Sequence, residues 1–241
     1  MKQNNTHERT YGEVVAINVD LQNDFCPGGS LAVKHGDEVI APINRLNTWV
    51  RDHYGFVIDT GDEHPKVTSH FQEFGGPWLE HCVADTYGAA LHRDLVVEPT
   101  DALAKKGMSG NDDGYSGYDA LLKPRDTAPN HLVNDLPEHE QTVGNFLERV
   151  VRVNRHLGKR TVVLLTGLAG DYCVPATGRP VLERISRDWA DLVWVSDAIR
   201  SVNKADGERA KQALIEAGAL AMTTEEIISG GITIDHHRLE V

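Results

Sequence analysis

Cys173 follows the apolar run 161–166 and the turn GLAGDY, at the point where a helical pattern begins. A helix N-terminus presents unpaired N–H groups and partial positive charge, which lowers a thiol's pKa and makes a thiolate nucleophile available. The same thiol is otherwise a small buried hydrophobe. A thiol that cleaves an amide needs a partner to accept its proton and return it to the leaving amine. No histidine holds an equally clear strand-end position, but Asp20 does, closing VVAINVD. A carboxylate desolvated in a pocket there has its pKa pulled upward, toward the range where a base also acts as an acid. Its bland alternative is a structural acceptor for turn amides. KKG offers Lys105 or Lys106 as an ammonium to support the thiolate, or else as a solvated surface charge.

A second constellation lies in TGDEHPKVTSHFQEFGGPWLEHC, which supplies Asp62, His64, His70 and His81. One carboxylate and three imidazoles suit a borderline divalent ion, zinc, iron(II) or manganese(II), with water completing the shell. Histidine clusters also occur on plain polar surfaces, and neither His-x3-His nor His-Glu-x-x-His is present. Cys82 beside His81 is read as structural, because adjacent ligands rarely both reach one ion.

These residues need elements to position them. The run 14–20 is short, apolar and rich in Val and Ile, the pattern of a central parallel strand covered on both faces. Apolar residues at helical spacing over 37–53 and 142–157 predict helices, 56–60 and 161–166 read as strands, and LVVEP at 95–99 reads as a short strand. A helix from 173 to about 187, a strand in DLVWVSDA, a helix in ADGERAKQALIEAGA and a strand in LAMTT complete the alternation, which predicts an α/β domain with a mostly parallel sheet. In such sheets ligands collect at the carboxyl ends of strands, where Asp20, the histidine-rich loop and Cys173 all fall. Asn23 and Asp24 are expected to hold the turn after the first strand by hydrogen bonds.

The chain has 241 residues and a net charge of −12, which argues against a phosphate-backbone partner; no nucleic acid is expected. No segment approaches the roughly 18 uncharged apolar residues of a membrane helix, so no membrane partner is expected either. Three cysteines without paired spacing point to a reduced, cytoplasmic setting. The expected organisation is a flexible N-terminus over 1–12 and a single domain over 13–241, with a polar, proline-containing surface insertion near 121–141.

VDLQNDFCPGGSLAV, DEHPKVTSHF, WLEHC, KKG, GYSGY and TGLAGDYCV, taken together and in order, resemble the nicotinamidases of the isochorismatase-like cysteine hydrolases over residues 14 to about 198. The resemblance implies a three-layer α/β/α fold around a six-stranded, mostly parallel sheet, and hydrolysis of nicotinamide to nicotinate and ammonia, with pyrazinamide as a further substrate. By position it implies Asp20, Lys106 and Cys173 as catalytic residues and one divalent metal ion on Asp62, His64, His70 and His81, zinc first, with iron or manganese as alternatives. It implies ring contacts from Phe25, Trp78 and Tyr115, an oxyanion hole from the backbone N–H groups of Ala169 and Cys173, and a cis peptide before Ala169. A small-molecule amide is the expected partner, and a homo-oligomer is open.

Some positions depart from the pattern. Gly170 stands where the family more often has Thr, which is expected to loosen the backbone before Cys173. Pro180 is expected to kink or end the helix that Pro175 opens. The stretch before Tyr115 is longer than in many relatives, and Asp112 and Asp113 within it would disfavour anionic substrates. The competing readings are a hydrolase of another amide or ureido substrate, which need not keep the metal quartet, and a silent binding scaffold, which the intact triad speaks against.

Overall fold

The computed structural model describes residues 10–110, 114–123 and 131–235. Its centre is β1 (Thr10–Val19), whose alternating side chains feed two separate cores. Val15, Ile17 and Val19 pack on one face and Val14 and Ala16 on the other, which is why this strand reads as a continuous apolar run. β1 pairs in parallel with β2 (Phe56–Asp62) on one side and β5 (Arg160–Gly167) on the other. β3 (Ala102–Lys106) extends the sheet beyond β2, while β6 (Ala190–Ile199) and β7 (Leu220–Met222) extend it beyond β5, all in parallel. Six parallel strands therefore form the body, as expected, with two short additions: β4 (Leu121–Leu122), antiparallel on the β3 edge, and β8 (Thr233–Ile234), which pairs with the start of β1.

Helix α1 (Ile40–Asp52) covers the face of Val14 and Ala16. Helices α2 (Val143–His156) and α3 (Cys173–Arg184) cover the other, joined by Leu214 of α4 (Lys204–Glu216), so the three-layer α/β/α architecture holds. Thr142 caps α2 by accepting from the Asn145 N–H at 3.1 Å. α3 runs through Pro180 to Arg184, so the proline does not end it.

Three local expectations are corrected. LVVEP at 95–99 is not a strand; the strand begins at Ala102, where Ile58 offers the next parallel partner. β1 starts at Thr10, inside the stretch expected to be frayed, because β8 and β5 both pair with its first residues. The 121–141 segment is more than a surface loop: Leu121 and Leu122 pair with β3, and Val133 is fully buried against the α2 core. Residues 1–9 and 124–130, and the Asp112 and Asp113 of the pre-Tyr115 stretch, lie outside the described residues.

The chain runs from β1 outward through β2 and β3, then returns to place β5 on the opposite side of β1. The connections leaving β1 and β5 thus diverge, and a crevice opens above their carboxyl ends, where α/β sheets bind ligands.

Candidate active site

Four strand ends deliver the central groups. Asp20 follows β1, with φ 52° taking it out of the extended run. Asp62 ends β2 and Lys106 ends β3, and the two are direct register partners, so their side chains emerge side by side. The alternation of β3 decides between the two lysines: Lys106 shares the buried face with Ala102 and Ala104, whereas Lys105 points the other way, 3.8 Å from Glu63. Cys173 arrives from β5 through the turn 168–172 and opens α3.

These groups converge. The Lys106 ammonium, 4% exposed, lies 2.7 Å from Oδ2 of Asp20 and 3.7 Å from Sγ of Cys173, and donates to Oδ1 of Asp62 and to the Gly114 carbonyl. Asp20 is fully buried and accepts from the Thr60 hydroxyl at 2.8 Å through Oδ1. Two carboxylates thus share one ammonium, and their environments push them apart. Burial raises Asp62, but Lys106 and His64 outweigh it and hold its carboxyl well below the usual carboxylate range. Burial raises Asp20 above that range despite Lys106, with the Asp62 charge adding to the rise. Asp62 is therefore held ionised, while Asp20 is the carboxyl of the pair that holds a proton more readily.

The Cys173 thiol is pushed up, not down as its helix-end position predicts. Burial is the main cause; Lys106 opposes it, while Asp20 and Asp62 add to it. Desolvation and two nearby anions outweigh a partial helix charge and one ammonium. The resting group is therefore a thiol rather than a thiolate.

Sγ faces a cavity of about 90 Å³ whose walls include Phe25, Trp78, Tyr115, Ala169 and Tyr172. That is far below the roughly 300–1,000 Å³ of drug-sized sites, and it suits a small flat molecule. Trp78 donates its indole N–H to the Tyr115 hydroxyl at 2.7 Å, which joins two of the expected ring contacts into one wall. Tyr172 packs edge-on to Trp78 at 5.1 Å and stacks with Tyr115 at 6.4 Å. Phe25 lies 5.6 Å from the His81 ring.

The turn before Cys173 carries a cis peptide between Leu168 and Ala169. The Tyr172 and Val174 N–H groups both turn back onto the Ala169 carbonyl, at 3.0 and 3.2 Å. Among the described residues the N–H groups of Ala169 and Cys173 have no internal acceptor, so both are available to a ligand oxygen. The turn is tied to the start of α4: Gly170 N–H donates to the Arg200 carbonyl at 2.8 Å, and the Asp171 carboxylate accepts from the Val202 and Asn203 N–H groups at 3.0 and 2.7 Å. Gly170 is consequently not a loosening. A Cβ there would stand 2.5 Å from Ser201 Oγ and 2.7 Å from Ile199 Cγ2, so the close approach requires glycine.

Beside the cavity, one ring nitrogen each of His64, His70 and His81 lies within 4.8 Å of the others. His64 Nδ1 is bonded to the Gly107 carbonyl at 3.0 Å and His81 Nδ1 to the Leu79 carbonyl at 2.7 Å, which turns both Nε2 atoms inward. Asp62 Oδ2 is 3.6 Å from His64 Nε2 and 3.9 Å from His81 Nε2. Burial, with the neighbouring imidazoles, holds His70 down at about 4, and burial also lowers His81, so both are the neutral bases a metal requires. His64 Nε2 is buried with no hydrogen-bond partner among the described residues, a cost that a bound cation would remove. The four residues fit a divalent ion of the zinc class.

Asn23 and Asp24 do what was expected. Asn23 donates to the Tyr87 carbonyl at 2.8 Å, and Asp24 accepts from the Cys82 N–H at 2.7 Å, which pins the end of the histidine loop to the turn after β1.

Comparison with known proteins places this geometry. The Isochorismatase domain profile matches residues 14–116. The nicotinamidase of Escherichia coli is 30% identical over 222 residues, covering 85% of this chain and 92% of that protein. The chain belongs to the isochorismatase family. Among solved structures, the zinc-bound pyrazinamidase of Pyrococcus horikoshii superposes with a TM-score of 0.62 at 28% identity, covering 88% of this chain and 99% of that one. PnC1 of L. infantum in complex with nicotinate gives 0.68 at 26% identity, with coverages of 93% and 96%. This isochorismatase-family chain is thus a hydrolase whose relatives handle nicotinamide-type compounds.

Within the family fold, the expected catalytic, metal and ring-contact residues gather around this crevice, whereas Tyr172, Val202 and the stretch 31–33 of the cavity wall, and Thr60 bonded to Asp20, escaped notice. Tyr172 was legible as the neighbour of Cys173. Val202 reaches the cavity only because Asp171 draws its loop in, and Thr60 is marked only by its place two residues before Asp62. No helix among the described residues is long and apolar enough to cross a membrane.

Proposed function

We propose that this chain converts nicotinamide to nicotinate and ammonia, and accepts pyrazinamide as well, through a thioester on Cys173. The observation that carries the reading is the shared cavity: the Cys173 thiol, the aromatic wall of Phe25, Trp78, Tyr115 and Tyr172, and the imidazoles of His70 and His81 all face one space of ring size.

Asp20 takes the Cys173 proton as sulfur attacks the amide carbonyl, and Lys106, 3.7 Å from that sulfur, supports the anion as it forms. The oxyanion is received by the N–H groups of Ala169 and Cys173. Asp20 returns its proton to nitrogen, ammonia leaves, and an acyl thioester remains. Asp20 then takes a proton from water, whose oxygen attacks the thioester, and gives that proton to the departing sulfur; the resting thiol and nicotinic acid result, and the acid releases its remaining proton to solvent as nicotinate. Lys106, its ammonium form stabilised by the surrounding anions, keeps its charge throughout. Asp62, His64, His70 and His81 would hold a divalent ion, and when bound it would supply Lewis acidity toward a ring nitrogen.

The reading is tested by ammonia release from nicotinamide by zinc-loaded protein, beside Cys173→Ala and chelator-treated samples. Release that is abolished by Cys173→Ala while calorimetry still detects nicotinamide binding is the expected result. A fully active Cys173→Ala protein overturns the thioester route, and an intact zinc-loaded protein that leaves nicotinamide untouched overturns the substrate.

A further inference from the structure

A carboxylate has two equivalent oxygens, and proton transfer works only if the correct one faces the thiol. Asp20 is held asymmetrically. Its Oδ2 is 2.7 Å from the same Lys106 ammonium that lies 3.7 Å from Cys173 Sγ, so Oδ2 and the sulfur share a cation. Its Oδ1 takes the Thr60 hydroxyl at 2.8 Å. That hydroxyl also accepts from the Asp20 backbone N–H at 3.3 Å. The two bonds fix its direction: with the N–H at its lone pair, its single proton is committed to Oδ1.

Thr60 is itself held firmly. It is 1% exposed on β2, between the strands that lead to Asp20 and Lys106, and its methyl faces Gly117, where an added Cβ would stand only 3.1 Å away. A β-branched side chain with its methyl packed and its hydroxyl doubly bonded has one rotamer.

We propose that Thr60 is a positioning residue, whose hydroxyl holds Oδ1 of Asp20 so that Oδ2 alone is presented to Lys106 and the Cys173 thiol as the proton acceptor. The inference rests on Asp20 being the acid–base group of the proposed reaction. Thr60 touches neither substrate nor sulfur; it acts through Asp20.

The test compares Thr60→Val, which keeps the shape and removes the hydroxyl, with Thr60→Ser, which keeps the hydroxyl. Two readouts are taken on zinc-loaded protein: nicotinamide turnover, and iodoacetamide alkylation of Cys173 followed by peptide mass. For Thr60→Val, kcat is expected to fall about ten- to a hundredfold with KM within about twofold, and alkylation to slow comparably. Thr60→Ser is expected to stay within about threefold of wild type on both readouts. A purely structural role would lower the Tm of Thr60→Val and leave both rates intact below it, and that result overturns the proposal, as does a change confined to KM. If wild type leaves nicotinamide untouched, the substrate reading fails by itself, and the alkylation rates of the two variants still decide for or against Thr60.

Discussion

Lys106→Met removes one ammonium and keeps most of the stem's length, so it isolates the charge. In the folded protein that charge is buried and faces Asp20, Asp62, the Gly114 carbonyl and Cys173. Without it, two carboxylates that are 0% and 3% exposed are left without their shared countercharge. Breaking a buried ion pair from one side costs about 3–5 kcal/mol, because the orphaned charge cannot regain water. Against a total of about 5–15 kcal/mol, that places the variant near the edge of folding. Neutralising a carboxylate in the same protein, as Lys106→Met with Asp62→Asn, removes much of the mismatch, so the double variant is expected to recover about 1–3 kcal/mol over the sum of the two single losses. Urea unfolding of chelator-treated samples, followed by tryptophan fluorescence, measures all four corners of the cycle. A Lys106→Met loss below about 1 kcal/mol with no coupling to Asp62 would refute the claim that the ammonium holds the two acids together.

Two other perturbations follow from the same structure. Burial pushes the Glu13 carboxyl from 4.5 up to about 7, so between those values the folded state holds a proton the unfolded state has released. Stability therefore falls as pH rises from 4.5 to about 7, by at most about 3 kcal/mol at about 1.36 kcal/mol per pH unit; Glu13→Gln is expected to flatten that part of a denaturation-against-pH curve, and an unchanged slope would count against it. Gly170→Thr is expected to cost about 1–3 kcal/mol by overpacking against Ser201 and Ile199, with Ser201→Ala returning part of the loss, and a neutral Gly170→Thr would show that the α4 loop yields more readily than its hydrogen bonds indicate.

The sheet and the chemical groups were legible for the same reason: both follow simple periods and strand ends. Val14, Val15, Ala16 and Ile17 announce a doubly covered strand, and Asp20 and Cys173 stand out because each interrupts the end of such a run. β3 was hidden because its inward face spends a position on Lys106, so ALAKK looks less like a strand than the loop residues LVVEP. Leu95 is buried there by packing against the α1 side rather than by any ladder of backbone bonds. The direction of the Cys173 shift was out of reach for a different reason: it depends on burial and on charges that converge from three strand ends, and a helix-end argument counts only one element. Gly170 was misread because the atoms that exclude a side chain there, on Ile199 and Ser201, lie about 30 residues downstream.

The tie between the nucleophile turn and the α4 loop limits how this pocket can be remodelled. Val202, which forms part of the wall, hangs from the same Asp171 that immediately precedes Tyr172 and Cys173. A change that shifts this wall also acts on the turn that carries the Cys173 sulfur, so under the proposed function selectivity and rate are bound together on that side. Another part of the wall, Leu31 to Val33, hangs instead from the backbone of Asp24 and Phe25 and carries none of the groups proposed to react. Under the proposed function, that stretch is where the choice of ring can change with least effect on Cys173.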